Sequence, residues 1–172
     1  MNYLRYILIL SSLMLSSCGF KPLYKQTNDR PYAIAELAKI QIDIVDDEVM
    51  AKDFKFSLER TLNPRLSDVK KEYLLKIKLK KETYAAVIRT NSEVGRYNIK
   101  SIVDFELYRL GKSKVINSGS IVMISSFDTV SAEFADYTAE GYSATNNTRQ
   151  SCEELKNRLA TILEDKTNEN KY

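Results

Sequence analysis

From Tyr73 to Lys80 the chain alternates: Tyr73, Leu75, Ile77 and Leu79 fall on one set of positions, and Lys76, Lys78 and Lys80 on the other. A period of two cannot make a one-sided helix, where residues two apart point in nearly opposite directions, so this stretch predicts a half-buried strand continuing toward Ile88. A strand of that length needs partners. Arg89 to Gly95 is a polar, Gly-ended turn region, and a third strand from Arg96 to Leu110 carries Tyr97, Ile99, Val103, Phe105 and Leu107 on one face. Gly111-Lys112 predicts a tight hairpin into a fourth strand, Lys114 to Phe127, with a bulge at Asn117-Ser118-Gly119. Three long strands in succession form an antiparallel meander.

Upstream, Ile40, Ile42 and Ile44 alternate with Gln41 and Asp43, which predicts another half-buried strand. Asp46 and Asp47 cap a helix running to about Leu62, with Met50, Phe54, Leu58 and Leu62 as its buried stripe and Asn63-Pro64 as its end. A last helix opens at Ser131 and keeps the stripe Cys152, Leu155, Leu159, Ile162 and Leu163; Asn146-Asn147, poor helix formers, mark a break or kink. The order β-α-β-β-β-α predicts a two-layer α+β domain over residues 36–166, two helices on a four-stranded mixed, largely antiparallel sheet. The charged end of the chain frays, leaving residues 167–172 as a disordered tail.

Composition narrows the chemistry. The chain contains no His, which removes His-based triads, Cys–His pairs and most zinc sites, and its net charge of +3 supplies no global basic field for nucleic acid. It has no Gly-rich phosphate cradle and no G-x-S-x-G elbow. Acidic pairs such as Asp46-Asp47 and Glu153-Glu154 are adjacent in sequence and do not face each other on a helix. The expectation is a protein that is not an enzyme and has no cofactor, metal or nucleic-acid partner.

Residues 1–17 read as a signal peptide: one cation, Arg5, then a run of roughly ten mainly apolar residues, about 15 Å as a helix and half a bilayer core. Leu15-Ser16-Ser17-Cys18 resembles the bacterial lipobox, so Cys18 is the expected site of lipidation and residues 18–35 a lipid-anchored tether. Gly19 follows the Cys, where an Asp would signal inner-membrane retention in enterobacterial lipoproteins, so the resemblance implies the outer membrane, periplasmic side, with the anchor in the inner leaflet. With Cys18 acylated, Cys152 has no thiol to pair with inside the chain, and its place on the helix stripe reads as a small buried apolar residue.

The segment Cys18-Gly19-Phe20-Lys21-Pro22-Leu23-Tyr24 resembles the mature N-terminus of the LptE family of lipopolysaccharide-assembly lipoproteins, in its alphaproteobacterial form. The layout is similar too, with Arg96-Tyr97 opening the third strand and Phe127-Asp128 and Phe134-Ala135 before and in the last helix. The resemblance implies a protein that plugs the outer-membrane barrel LptD, assists its assembly and takes part in lipopolysaccharide (LPS) transport to the outer leaflet. The alternative is a periplasmic lipid-binding auxiliary lipoprotein of an ABC-type transport system, which would need an apolar groove.

Lys76, Lys78 and Lys80, with Lys81 beside them, form a basic strip, and Arg89 and Arg96 lie toward the hairpin end. Clustered Lys and Arg bind phosphate through charge-assisted hydrogen bonds, so these five residues, Lys76, Lys78, Lys80, Arg89 and Arg96, are the candidate LPS contacts; the lysines read first as a solvated strand face or as edge protection and second as phosphate contacts. Phe127, Phe134, Tyr137 and Tyr142, near helical spacing, read first as core and second as a grip on acyl chains or a barrel wall.

Overall fold

In the computed structural model, residues 32–45, 49–88, 90, 94–129 and 133–169 are described. The signal peptide, Cys18 and its neighbouring motif, the Asp46-Asp47 cap and Arg89 lie outside the described residues. The elements are helix α1 (Tyr32–Leu37), strand β1 (Ile40–Ile44), helix α2 (Val49–Leu62), strands β2 (Tyr73–Ile88), β3 (Val94–Arg109) and β4 (Val115–Asp128), and helix α3 (Glu133–Glu169). The α+β arrangement agrees with the expectation, with one addition: α1 is a short third helix that straddles the expected boundary between tether and domain at residues 35 and 36.

The sheet order is β1-β2-β3-β4. β1 runs parallel to β2, Ile40 opposite Tyr73 and Ile44 opposite Ile77, because α2 crosses over between them. The other pairs are antiparallel. We call the end where β2 begins and β3 finishes the base, and the end where Ile88 stands opposite Val94 the tip. At the base Lys39 O accepts from the backbone N–H of Glu72 and Tyr73, and the Lys39 ammonium lies 2.8 Å from Glu36 and 3.1 Å from Glu72.

The odd-numbered residues of β2 and β3 meet the helices. Leu75, Ile77, Ile99, Val103, Phe105 and Leu107 are buried, as are Phe54, Leu58 and Leu62 on α2 and Leu155, Leu159 and Leu163 on α3. α2 packs on β1 and on α3, α1 also rests on α3, and α3 lies on β4 and β3. Asn63 ends α2 as expected: its side-chain amide donates to Ser67 O at 2.9 Å and its Oδ1 accepts from Ser67 N at 3.0 Å.

Three local expectations change. The register slip on β4 falls at Ile116, between the pairs Leu107–Asn117 and Tyr108–Val115, so the bulge precedes the Asn117-Ser118-Gly119 signal. Gly119 has another cause: it stands opposite Phe105, and a Cβ there would sit 3.0 Å from the Phe105 ring. The β3–β4 turn is closed by Lys112 N to Arg109 O with Gly111 at φ +79°, but the connection spans residues 110–114 rather than two.

α3 is the third change. Asn146-Asn147 do not break it: the helix is continuous for 37 residues and holds the charged stretch through Glu169. Asn147 is buried because its Nδ2 donates to Ile99 O (3.0 Å) and to Ser101 Oγ (3.2 Å), stitching helix to sheet. A weak helix former is tolerated where tertiary hydrogen bonds replace what propensity lacks.

Candidate interaction surfaces

The even-numbered residues of β2, β3 and β4 face away from the helices, and on this face the expected basic strip is found. Lys76, Lys78 and Lys80 are exposed there in sequence. Their surroundings are acidic. Lys76 stands opposite Glu106 and beside Asp43, and Lys78 stands opposite Asp104. The Lys76 ammonium lies 5.4 Å from the centre of the Tyr108 ring, and Tyr108 donates its hydroxyl to Glu106 Oε2 at 2.5 Å. That bond raises the Tyr108 pKa, because the phenol donates to a carboxylate. Lys80 pairs with Glu82 at 2.6 Å and Lys100 with the same carboxylate at 3.6 Å, which lowers the Glu82 pKa through the Lys80 hydrogen bond first. Lys81 points to the helix side and pairs with Glu140 of α3 at 2.9 Å.

Arg96 lies on the same outer face but near the tip, about 33 Å along β3 from the residue opposite Lys76. Its guanidinium forks onto Asp128, Nε to Oδ1 at 2.7 Å and Nη2 to Oδ2 at 3.1 Å, which raises its pKa. The structure thus places Lys76, Lys78 and Lys80 together, sets Arg96 apart from them, and gives each of these positions an acidic neighbour. The outer face is a charge mosaic and not a phosphate pocket. A shallow depression of about 580 Å³ in it has Lys76, Lys78, Asp104, Glu106, Ser118 and Ser120 among its lining residues.

The aromatic residues divide. Phe127 is buried and stacks on Tyr97 with ring centres 5.7 Å apart. Phe134, Tyr137 and Tyr142 were expected in the core, yet they are 82%, 77% and 77% exposed. Phe134 and Tyr137, three residues apart, are neighbours on the first turns of α3, and Tyr142 lies about 80° around the helix from Phe134. Gly141 lies between them, with nothing within 4 Å of where its Cβ would be. The opposite side of these turns is spent on the sheet through Ser143, whose O accepts from Ser125 Oγ at 3.1 Å. Nearby, Val87 and Ile88 at the end of β2 are also exposed. Among the described residues the tip therefore presents apolar side chains beside the Arg96–Asp128 pair, a feature that spacing alone could not reveal, since a helix with polar groups inward reads as inverted.

Cys152 is buried, and burial pushes its thiol up to about 11. It is a packing residue and not a nucleophile at neutral pH. Among the described residues no helix is long and apolar enough to cross a membrane.

No protein-family model matches the chain. It is 24% identical over 152 residues to the uncharacterized protein RP188 of Rickettsia prowazekii (strain Madrid E), covering 88% of this chain and 92% of that one. Several solved structures share the fold, among them three bacterial lipoproteins. A candidate lipoprotein from Caulobacter crescentus CB15 superposes with a TM-score of 0.65 at 16% identity, over 78% of this chain and 97% of that one. A minor lipoprotein from Acinetobacter baumannii gives 0.55 at 13% identity over 71% and 91%, and the rare lipoprotein B of Shewanella oneidensis gives 0.50 at 12% identity over 77% and 98%. At these identities the likeness is one of fold: the domain has an architecture that bacterial lipoproteins use.

Proposed function

We propose that this chain is a lipid-anchored lipoprotein of the outer membrane, facing the periplasm, that acts as a non-enzymatic plug and assembly partner of the LPS-translocon barrel LptD. The observation that carries the reading is the segregation of the two ends. The chain reaches the fold through α1 at the base, which leads into β1 opposite Tyr73, while the exposed aromatic surface of α3 lies at the tip. Sixteen residues of β2 separate the two ends, about 50 Å. Apolar side chains exposed at the end away from α1 suit a domain that enters a barrel tip first. The charge mosaic of the sheet suits a wet, mixed-charge lumen. The Cys18-Gly19-Phe20-Lys21-Pro22-Leu23-Tyr24 motif and the lipoprotein fold support the same reading.

LPS transport results in this reading from occupancy of the barrel. Direct phosphate contact by Lys76, Lys78, Lys80 or Arg96 would have to displace an acidic neighbour in each case, so the reading rests on the aromatic tip. Affinity purification of the tagged chain from detergent-solubilised outer membranes tests it: one stoichiometric large barrel is expected, and a Phe134→Ser/Tyr137→Ser variant should lose the barrel with its melting temperature unchanged. Recovery of an inner-membrane transporter, or of no partner, would overturn it.

A further inference from the structure

The two edges of the sheet are built differently. β1 is five residues long and carries Asp43, and shortness and charge are what keep an edge from pairing with another chain. β4 is fourteen residues long, and from Val115 to Phe127 it has no Lys, Arg, Asp, Glu or Pro. It pairs with β3 alone.

The ladder decides which of its backbone groups face outward. Thr129 N donates to Gly95 O, one step beyond the pair Arg96–Asp128, so odd-numbered residues of β4 bond to β3 and even-numbered residues turn N–H and C=O to the open edge. Side chains of α3 close two of these outward carbonyls: Arg158 Nη1 donates to Ser120 O at 3.1 Å and Ser143 Oγ to Ser126 O at 3.4 Å. Between them lie Val122 and Ile124, whose side chains are 48% and 57% exposed on the outer face. The least protected stretch of edge is also the one that shows apolar side chains.

We propose that β4 pairs antiparallel with β4 of a second copy of this chain, joining two four-stranded sheets. The strand is its own complement. A two-fold axis at Met123 sets Val122 opposite Ile124 of the partner subunit, and the reciprocal pair forms on the other side of the axis. Each pair exchanges two N–H···O=C bonds and covers two exposed aliphatic side chains on one face. No like charges meet, because the segment has none. The paired edge describes the chain outside a barrel, where its sheet is free, and does not rest on the barrel reading.

The test uses the full chain in detergent micelles, with two readouts. In sedimentation velocity the wild type is expected to show a dimer whose fraction rises with concentration. Val122→Lys and Ile124→Lys should remain monomeric at concentrations at least tenfold higher with unchanged melting temperatures, while Thr83→Lys, a lysine added on β2, stays dimeric. Under oxidation Met123→Cys should form a covalent dimer, since the residues on the axis are a closely spaced cross-strand pair, and adding Val122→Lys should abolish it. A wild type that stays monomeric throughout, a dimer indifferent to both lysines, or a dimer dissolved by Phe134→Ser instead would overturn the proposal. A monomeric wild type whose barrel is lost on Val122→Lys would assign the edge to the barrel and equally overturn self-pairing.

Discussion

At the base of the sheet three helices converge, and Leu58, Leu75, Leu107, Leu155 and Leu159 are completely enclosed; at the tip only the first turns of α3 cover the strands, and β2 from Thr83 to Ile88 is exposed on both faces. One meander thus runs from a core into what is nearly a bare ribbon. Buried apolar area, at about 25 cal/mol per Å², concentrates stability where the helices meet. The tip contributes surface and little stability, which leaves it free to be apolar on the outside.

The largest expected effect tests that division. Leu159→Asp puts a charge into the enclosed end of α3 and should cost several kcal/mol of a total near 5–15, enough to leave the domain unfolded by circular dichroism. Phe134→Asp, the same kind of change on the exposed turns of the same helix, should stay within about 0.5 kcal/mol. Equal losses would show that the tip is packed as firmly as the base.

Asn147 stands at the boundary between the two regions and gives an intermediate effect. Asn147→Ala removes two helix-to-sheet hydrogen bonds and should cost about 1–2 kcal/mol in denaturant melts. Ser151, one turn on, is buried with no partner for its hydroxyl, so Ser151→Ala should be neutral or stabilising by the same assay. A loss there matching that of Asn147 would mean the seam is held by packing alone.

The thiol of Cys152 reports on the base through pH. Its folded pKa, about 11, lies above its ordinary value of 9, so the folded state holds the proton more tightly. The resulting stability is present below pH 9 and is lost as pH rises through 11. Wild type should therefore lose stability across that window by more than Cys152→Ala does, and native Cys152 should react with a thiol reagent at pH 8 only after denaturant is added. The smallest effect belongs to the tip: Arg96 and Asp128 are exposed, so Arg96→Ala should leave the thermal midpoint unchanged within measurement scatter.

Periodicity made most of the architecture legible. Odd-numbered positions of β2 and β3 and the four-residue steps of α2 named nearly every buried residue of the sheet and second helix, because alternation and helical pitch both derive from backbone geometry. The candidate sites were less legible. Lysines in sequence announced positive charge, but Glu106 and Asp104 come beside Lys76 and Lys78 only through the β2–β3 register, whereas Glu82 follows Lys80 by two residues on the same strand face. Asn147 gave a signal of weak helix propensity with the wrong consequence, since its partners lie 46 and 48 residues away.

By itself the sequence determined the α+β class, the strand order along the chain, the inward faces of β2, β3 and α2, and the inertness of Cys152 on its stripe, all of which depend on local spacing and apolar content. Tertiary structure alone decided which side of α3 turns outward at Phe134, Tyr137 and Tyr142, which cations meet acids, and which edge of the sheet is left open. The physical reason is range. Spacing along a chain fixes the direction of a side chain relative to its own helix or strand, whereas exposure, charge pairing and an unpaired edge depend on what the rest of the chain brings alongside.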